Sequence, residues 1–316
     1  MNRLLRLLQD GRFHSGLELG EALGVSRSAV WKHLQRLETE TGLPLYKVPG
    51  RGYRLAEPIS LLDADLLIPH FEGLHWGLVV HESVDSTNAE ALRALQRGVP
   101  APFVVLTEAQ TAGRGRRGRA WISPFGLNLY CSLVIKVQGG PRQLSGMSLV
   151  VGLAVMQALR LAGVAQVGLK WPNDVYADGK KVAGVLLELT GDPADACHVV
   201  IGIGINVNML VAEGIDQPWT SMRSSVGMIN RNELVVSLSD LLKRYLDRHA
   251  SLGFSALKNE WEASHIWQSR DCTLSTGAQD FSGTVLGVDN QGALRLNVNG
   301  EERSFSGGEL SLRLAR

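Results

Sequence analysis

The chain has 316 residues, 45% of them hydrophobic, too long for one small domain and too apolar for a disordered or collagen-like polymer. Lys and Arg outnumber Asp and Glu by only 32 to 31, so no overall field gathers nucleic acid or anionic membrane, and any basic site is local. Cys131, Cys197 and Cys272 lie more than sixty residues apart with no CxxC or Cys/His cluster, which excludes a disulfide framework and leaves no metal site to expect.

The first helix is predicted around Leu4, Leu5, Leu7 and Leu8, ending at Asp10-Gly11. Ser15 caps a second helix over 16–23 that stops at Gly24, and Ser26 caps a third whose Val30, Leu34 and Leu37 recur at i, i+4 and i+7. Two short helices joined by a tight turn predict a helix-turn-helix. The third helix offers Ser26, Arg27, Ser28, Lys32 and Gln35 to phosphates and base edges, and Trp31 to packing. LPLYKVPGRGYRL then reads as a two-stranded wing with Arg51 at its tip. Residues 1–60 hold nine Lys/Arg against six Asp/Glu, so DNA binding is preferred here over a module that only docks a partner. The amphipathic start is broken by Arg and Asp, unlike a secretory signal, and the longest apolar stretch, 147–155, falls far short of the roughly 20 residues that span a bilayer. A cytoplasmic, soluble protein without a membrane partner is expected.

Residues 61–267 read as one large unit. Strands are predicted over 103–106, 129–137, 167–170, 181–189 and 198–207, and helices over 86–97, 144–162 and 233–252. Strands joined by short turns, as at 176–180, indicate an α+β domain with a mixed sheet rather than a repeating βαβ winding. From about 268 to 316 apolar and polar residues alternate, with turn signals at 289–292 and at Asn299-Gly300, which predicts a small β-barrel or meander.

Residues 113–119, GRGRRGR, carry the densest chemistry. The glycines match GxGxxG, yet no amphipathic helix follows and no acid stands about 20 residues on, so the dinucleotide reading fails. What remains is a glycine loop with four arginines in seven residues, suited to a polyphosphate or acyl phosphate. Lys170-Trp171-Pro172-Asn173-Asp174 ends a strand, and Lys181 follows closely enough for a hairpin to bring it beside Asp174. A lysine at the base of an apolar strand can neutralise a carboxylate or charge developing on phosphate. Ser86-Thr87-Asn88 read alone as a helix cap. In Gly202-Ile203-Gly204-Ile205-Asn206, glycines on a strand mark the close approach of backbone or a planar ligand.

Taken in order, these segments, with Glu108, Gln110, Trp121 and Ala183-Gly184, resemble the biotin–protein ligases. With the N-terminal winged helix they resemble the bifunctional bacterial ligase–repressors, over nearly the whole chain. The resemblance implies a winged helix-turn-helix, a central domain related to class II aminoacyl-tRNA synthetases and a C-terminal SH3-like barrel. It implies that biotin and ATP, with Mg²⁺, give biotinyl-5′-AMP, whose biotinyl group passes to a lysine of a biotin carboxyl carrier protein. It further implies repression of biotin-synthesis genes at operator DNA by a homodimer that the adenylate promotes.

The site the resemblance implies agrees with the residues. Ser86, Thr87, Asn88, Gln110, Arg114, Gly115, Arg116 and Lys181 are expected on biotin, and Arg114, Arg116, Trp121, Asn173, Asn206 and Arg313 on ATP or the adenylate. Lys181, Arg116 and Asp174 are expected to carry the chemistry, Asp174 by orienting the acceptor amine. Residues 209–228, where the family closes a loop over the adenylate, show no alignable pattern and contribute no residue. A transcription factor that only senses a biotin-like acid needs no ATP-side residues, and a lipoate or octanoate transferase lacks the arginine loop. Both rivals are disfavoured.

Overall fold

The computed structural model describes residues 2–138, 143–191, 196–277, 279–306 and 310–315. The winged unit comprises α1 (Asn2–Leu8), α2 (Gly16–Leu23), α3 (Arg27–Thr41), β1 (Leu45–Val48) and β2 (Gly52–Leu55). Ser15 and Glu18 form a reciprocal capping box at α2, Gly24 ends it in the left-handed conformation, and Ser26 Oγ accepts the Ala29 N–H. Val30, Leu34 and Leu37 are buried, as their spacing requires. This small core does not close on itself. Ile59, Leu61 and Phe125 complete it, and Phe125 comes from the central unit.

The central unit runs through α4 (Ala64–Gly73), β3 (Gly77–Val84), α5 (Thr87–Gln96), β4 (Phe103–Gln110), β5 (Leu129–Gln138), α6 (Met147–Leu161), β6 (Val167–Lys170), β7 (Asp174–Ala177), β8 (Lys180–Gly191), β9 (Ala196–Ile205), α7 (Met222–Val226), α8 (Arg231–Leu252) and α9 (Lys258–Ser264). Its seven-stranded sheet has the order β3-β4-β5-β9-β8-β7-β6. Only β3 and β4 pair in parallel, which is the mixed sheet expected. Alternation along β4 divides the two faces: Val104 and Leu106 join the main core under α6 and α8, while Phe103 and Val105 meet Ala91 and Ala94 of α5. Helix α6 is apolar nearly all round because it is buried nearly all round.

The tail holds β10 (Asp271–Ser275), β11 (Asp280–Val288), β12 (Leu294–Val298), β13 (Glu301–Phe305) and β14 (Ser311–Leu314), antiparallel throughout in the order β13-β12-β11-β10-β14. It is tied to the central unit where Trp171 Nε1 donates to the Gly292 carbonyl at 3.1 Å. No helix among the described residues is long and apolar enough to cross a membrane.

Candidate active site

The cavity opens where β9 loses its side chains on one face of the sheet. On β9, Val199, Ile201, Ile203 and Ile205 point into the main core, and Val200 packs under α5. The next two residues on that second face are Gly202 and Gly204, and β8 adds Gly184 beside them. Beyond α5, β9 therefore presents bare backbone, flanked by Tyr130 of β5 and Leu186 of β8. A Cβ at Gly204 would lie 2.5 Å from the Trp121 indole, and one at Gly202 would collide with the Asn88 amide. The planar group expected against these glycines is thus, in this structure, the protein's own Trp121.

Over this floor lies a cavity of about 290 Å³. Ser86, Thr87, Asn88, Gln110, Arg114, Gly115, Arg116, Trp121, Asn173, Asp174, Lys181 and Asn206 all line it. One end is a neutral polar notch. The Thr87 N–H and Oγ both donate to Gln110 Oε1, at 2.9 and 3.2 Å, and Gln110 Nε2 donates to Ser123 Oγ, which fixes the amide's orientation. Asn88 is held from both sides: its Nδ2 donates to Glu188 and its Oδ1 accepts from Ser132 Oγ, both at 2.6 Å. Ser86 stands at the N-cap of α5, but its hydroxyl makes no cap bond although the residue is buried. The capping role read from the sequence alone does not hold for its side chain.

The other end is cationic. Arg114, Arg116, Arg117, Arg119, Lys170 and Lys181 line the cavity against two carboxylates, Asp174 and Asp216, so its field favours an anion. The arginine loop is compact: the Gly115 N–H bonds the Arg119 carbonyl at 2.7 Å and the Trp121 N–H the Gly113 carbonyl at 2.9 Å. Arg114 pairs with Glu188 at 3.1 Å. Arg116 Nη1 donates to Asn173 Oδ1 at 2.9 Å, and its Nη2 to the Leu310 carbonyl of the tail at 3.4 Å. The expected hairpin is formed, with Lys181 Nζ 2.7 Å from Asp174 Oδ1, an ion pair without hydrogen-bond alignment. Burial pulls the Lys170 ammonium below its ordinary pKa, and Asp174 opposes the shift. Asn206 is buried, its Nδ2 donating to the Thr220 carbonyl.

Arg313 is exposed and lines an adjoining depression with Arg117, Arg119 and Ser311, three residues that also line the main cavity. The stretch left without assignments, 209–228, supplies a wall through Gly214, Ile215, Asp216, Gln217 and Trp219. The Lys181 N–H bonds the Pro218 carbonyl, and the Thr220 N–H bonds Lys181 in return. No periodicity marks that wall. Glu188 was also missed, though a lone carboxylate within the apolar run 185–189 was a readable signal.

On the winged unit Ser26, Arg27, Ser28, Lys32 and Arg51 are all exposed. The Ser26 hydroxyl is engaged as cap, and the Arg51 guanidinium stacks 4.4 Å over Phe13. Trp31 packs on the wing, 6.1 Å from the Tyr53 ring and under Lys47.

The biotin/lipoate A/B protein ligase family matches residues 80–206, an HTH domain residues 1–54 and the biotin protein ligase C-terminal domain residues 270–313. The bifunctional ligase/repressor BirA of Salmonella typhimurium is 41% identical over 314 residues, covering 99% of this chain and 97% of that protein. The chain belongs to the biotin–protein ligase family. Within it the match runs through the DNA-binding unit as well, as in the ligase/repressor BirA of Bacillus subtilis, 33% identical over 91% of this chain and 90% of that one. Among solved structures, a biotin protein ligase from Aquifex aeolicus in complex with biotin and ATP superposes with a TM-score of 0.67 at 30% identity, covering 76% of this chain and 99% of that chain.

Proposed function

We propose that this biotin–protein ligase joins biotin to AMP and then to a carrier lysine, and that the same chain represses transcription. The carrying observation is the single cavity in which the Ser86–Gln110 notch, the arginine loop and the Lys181–Asp174 pair face one another. Ser86, Thr87, Asn88 and Gln110 take the ureido head; Trp121 and the glycine floor take the rings. Arg114, Gly115, Arg116 and Lys181 draw in the carboxylate, whose oxygen attacks the α-phosphate of MgATP and expels pyrophosphate. Negative charge grows on the phosphate oxygens and the departing pyrophosphate, so cations held in place stabilise the transition state more than the ground state. Asn173, Asn206 and Trp121 hold the nucleotide, and Arg313 meets it from the adjoining depression it shares with Arg117 and Arg119. In the second step Asp174 receives a proton from the acceptor lysine, whose nitrogen takes the biotinyl carbonyl and releases AMP.

Residues 61–267 are the chemical unit, 268–316 its cover and 1–60 the DNA reader. Ser26, Arg27, Ser28 and Lys32 enter the major groove and Arg51 follows the adjacent backbone. Three buried free cysteines agree with a cytoplasmic location. Mixing the protein with biotin, MgATP and an apo carboxylase carrier domain is expected to add the mass of one biotinyl group to the carrier. An unmodified carrier sinks the ligase reading and leaves a sensor.

A further inference from the structure

Asp174 lies between two ammonium groups of unequal freedom. Lys181 Nζ meets its Oδ1 at 2.7 Å, and Lys170 Nζ lies 4.0 Å from its Oδ2. All three side chains are at least four-fifths buried: they are 15%, 14% and 13% exposed for Lys181, Lys170 and Asp174. Lys170 is caged. Its ammonium donates to the Tyr176 hydroxyl at 3.3 Å and sits 4.7 Å from the Trp267 ring centroid and 5.3 Å from that of Tyr176. Lys181 faces the cavity, with its ammonium 5.4 Å from the Trp121 ring.

An entering carboxylate or phosphate competes with Asp174 for Lys181. Once Lys181 is drawn away, Lys170 is the ammonium that stays beside Asp174, and a buried charge left without a partner is costly. We infer that Lys170 is the standing counter-ion of Asp174, a positioning residue that keeps this carboxylate paired and aimed while Lys181 serves the phosphate. The inference rests on the roles proposed above for Asp174 and Lys181. The balance is simple. One proton passes from the acceptor ammonium to Asp174, the nitrogen bonds the biotinyl carbon, and the carbon–oxygen bond to AMP breaks with its electron pair leaving on AMP. The second nitrogen proton goes to solvent.

Two substitutions separate charge from packing. Lys170→Met keeps the apolar stem between Trp267 and Tyr176; Lys170→Arg keeps the charge. Biotin-dependent pyrophosphate exchange reads the first step, and single-turnover transfer from preformed adenylate to apo carrier reads the second. Hydroxylamine, unprotonated at neutral pH, serves as an acceptor that needs no base. In Lys170→Met, transfer to the carrier is expected to fall roughly 10²-fold further than exchange, the scale of lost general-base help, with the carrier KM unmoved. Hydroxylamine capture stays level with exchange, and Lys170→Arg recovers most of the transfer. Equal losses in exchange and transfer, hydroxylamine capture falling with transfer, or an arginine as poor as methionine overturns the inference. Exchange absent from the unaltered protein overturns the ligase reading instead.

Discussion

Lys181 meets Asp174 as an ion pair, and in the role proposed for it above its charge passes from carboxylate to substrate during the reaction. Interactions that strengthen only as phosphate charge develops act on rate rather than on binding. Lys181→Ala is expected to reduce biotin-dependent pyrophosphate exchange by about 10²–10³-fold, the range for one lost electrostatic stabiliser, with a much smaller effect on biotin affinity. Exchange measured at saturating biotin, beside equilibrium binding of biotin alone, checks both halves. An exchange rate equal to wild type removes Lys181 from the first step.

At the scale of the element, the arginine loop bridges two units through one side chain. Arg116 donates to Asn173 at the sheet and to Leu310 in the tail, so it holds cavity and cover together. Arg116→Gly is expected to let biotinyl-AMP escape, and labelling of added albumin well above wild type is the measurement. Equal labelling rejects the loop as the latch. Helix α2 offers a second test. Its capping box satisfies donors at the helix N-terminus, so Ser15→Ala is expected to lower the winged unit's stability by about 1 kcal/mol, read from chemical denaturation. Elements with such local signals were legible. Ser15 and Gly24 bound α2 at the residues observed, and the lysine–aspartate hairpin follows from its turn. Strand β3 was not foreseen, because at the sheet edge its residues are mostly half-buried and alternation fades. Helix α4 carries Pro69 in its interior, which interrupts the expected pattern. The cavity wall at 214–219 is irregular backbone placed by bonds to Lys181 and Asn206, a tertiary arrangement that no local periodicity encodes. Arg313, expected from the resemblance alone, lies in the depression that adjoins the cavity through Arg117 and Arg119.

For the whole molecule, the junction between DNA reader and ligase is a built joint. Glu108 accepts the Leu62 N–H at 2.6 Å with one oxygen and binds Arg231 with the other. Arg231, wholly buried, also donates to the carbonyls of Ser60 and Asn128, and Asn232 to that of Leu61. Glu108 is on the strand that ends in Gln110, so the joint is two residues from the biotin notch. Glu108→Gln leaves the buried guanidinium without its counter-charge, at an expected cost of about 3–5 kcal/mol in unfolding free energy. Denaturant titration checks it, and a change below 1 kcal/mol contradicts the joint. A single winged helix covers about half a palindrome, so operator binding is expected to need two copies. On the proposed ligase–repressor reading, an adenylate that fixes the arginine loop would lower the entropy still to be lost when two copies meet, coupling ligand to dimer. Biotin with MgATP is therefore expected to raise the sedimenting mass at micromolar protein, and apo carrier to reverse it. An unchanged mass detaches repression from the ligase.

The shared core also bears on trimming the protein. Phe125, partnered by Leu127, lies on the ligase side yet finishes the hydrophobic interior of the winged unit. A cut after residue 60 does not release an enzyme with a finished exterior. It strips Ile59 from Phe125, loses the Ser60 contacts of a buried arginine and leaves an oily scar where the reader had been. A soluble ligase-only form has to repaint that scar with polar side chains, and the two activities are bound to one chain by that surface as much as by the peptide bond between them.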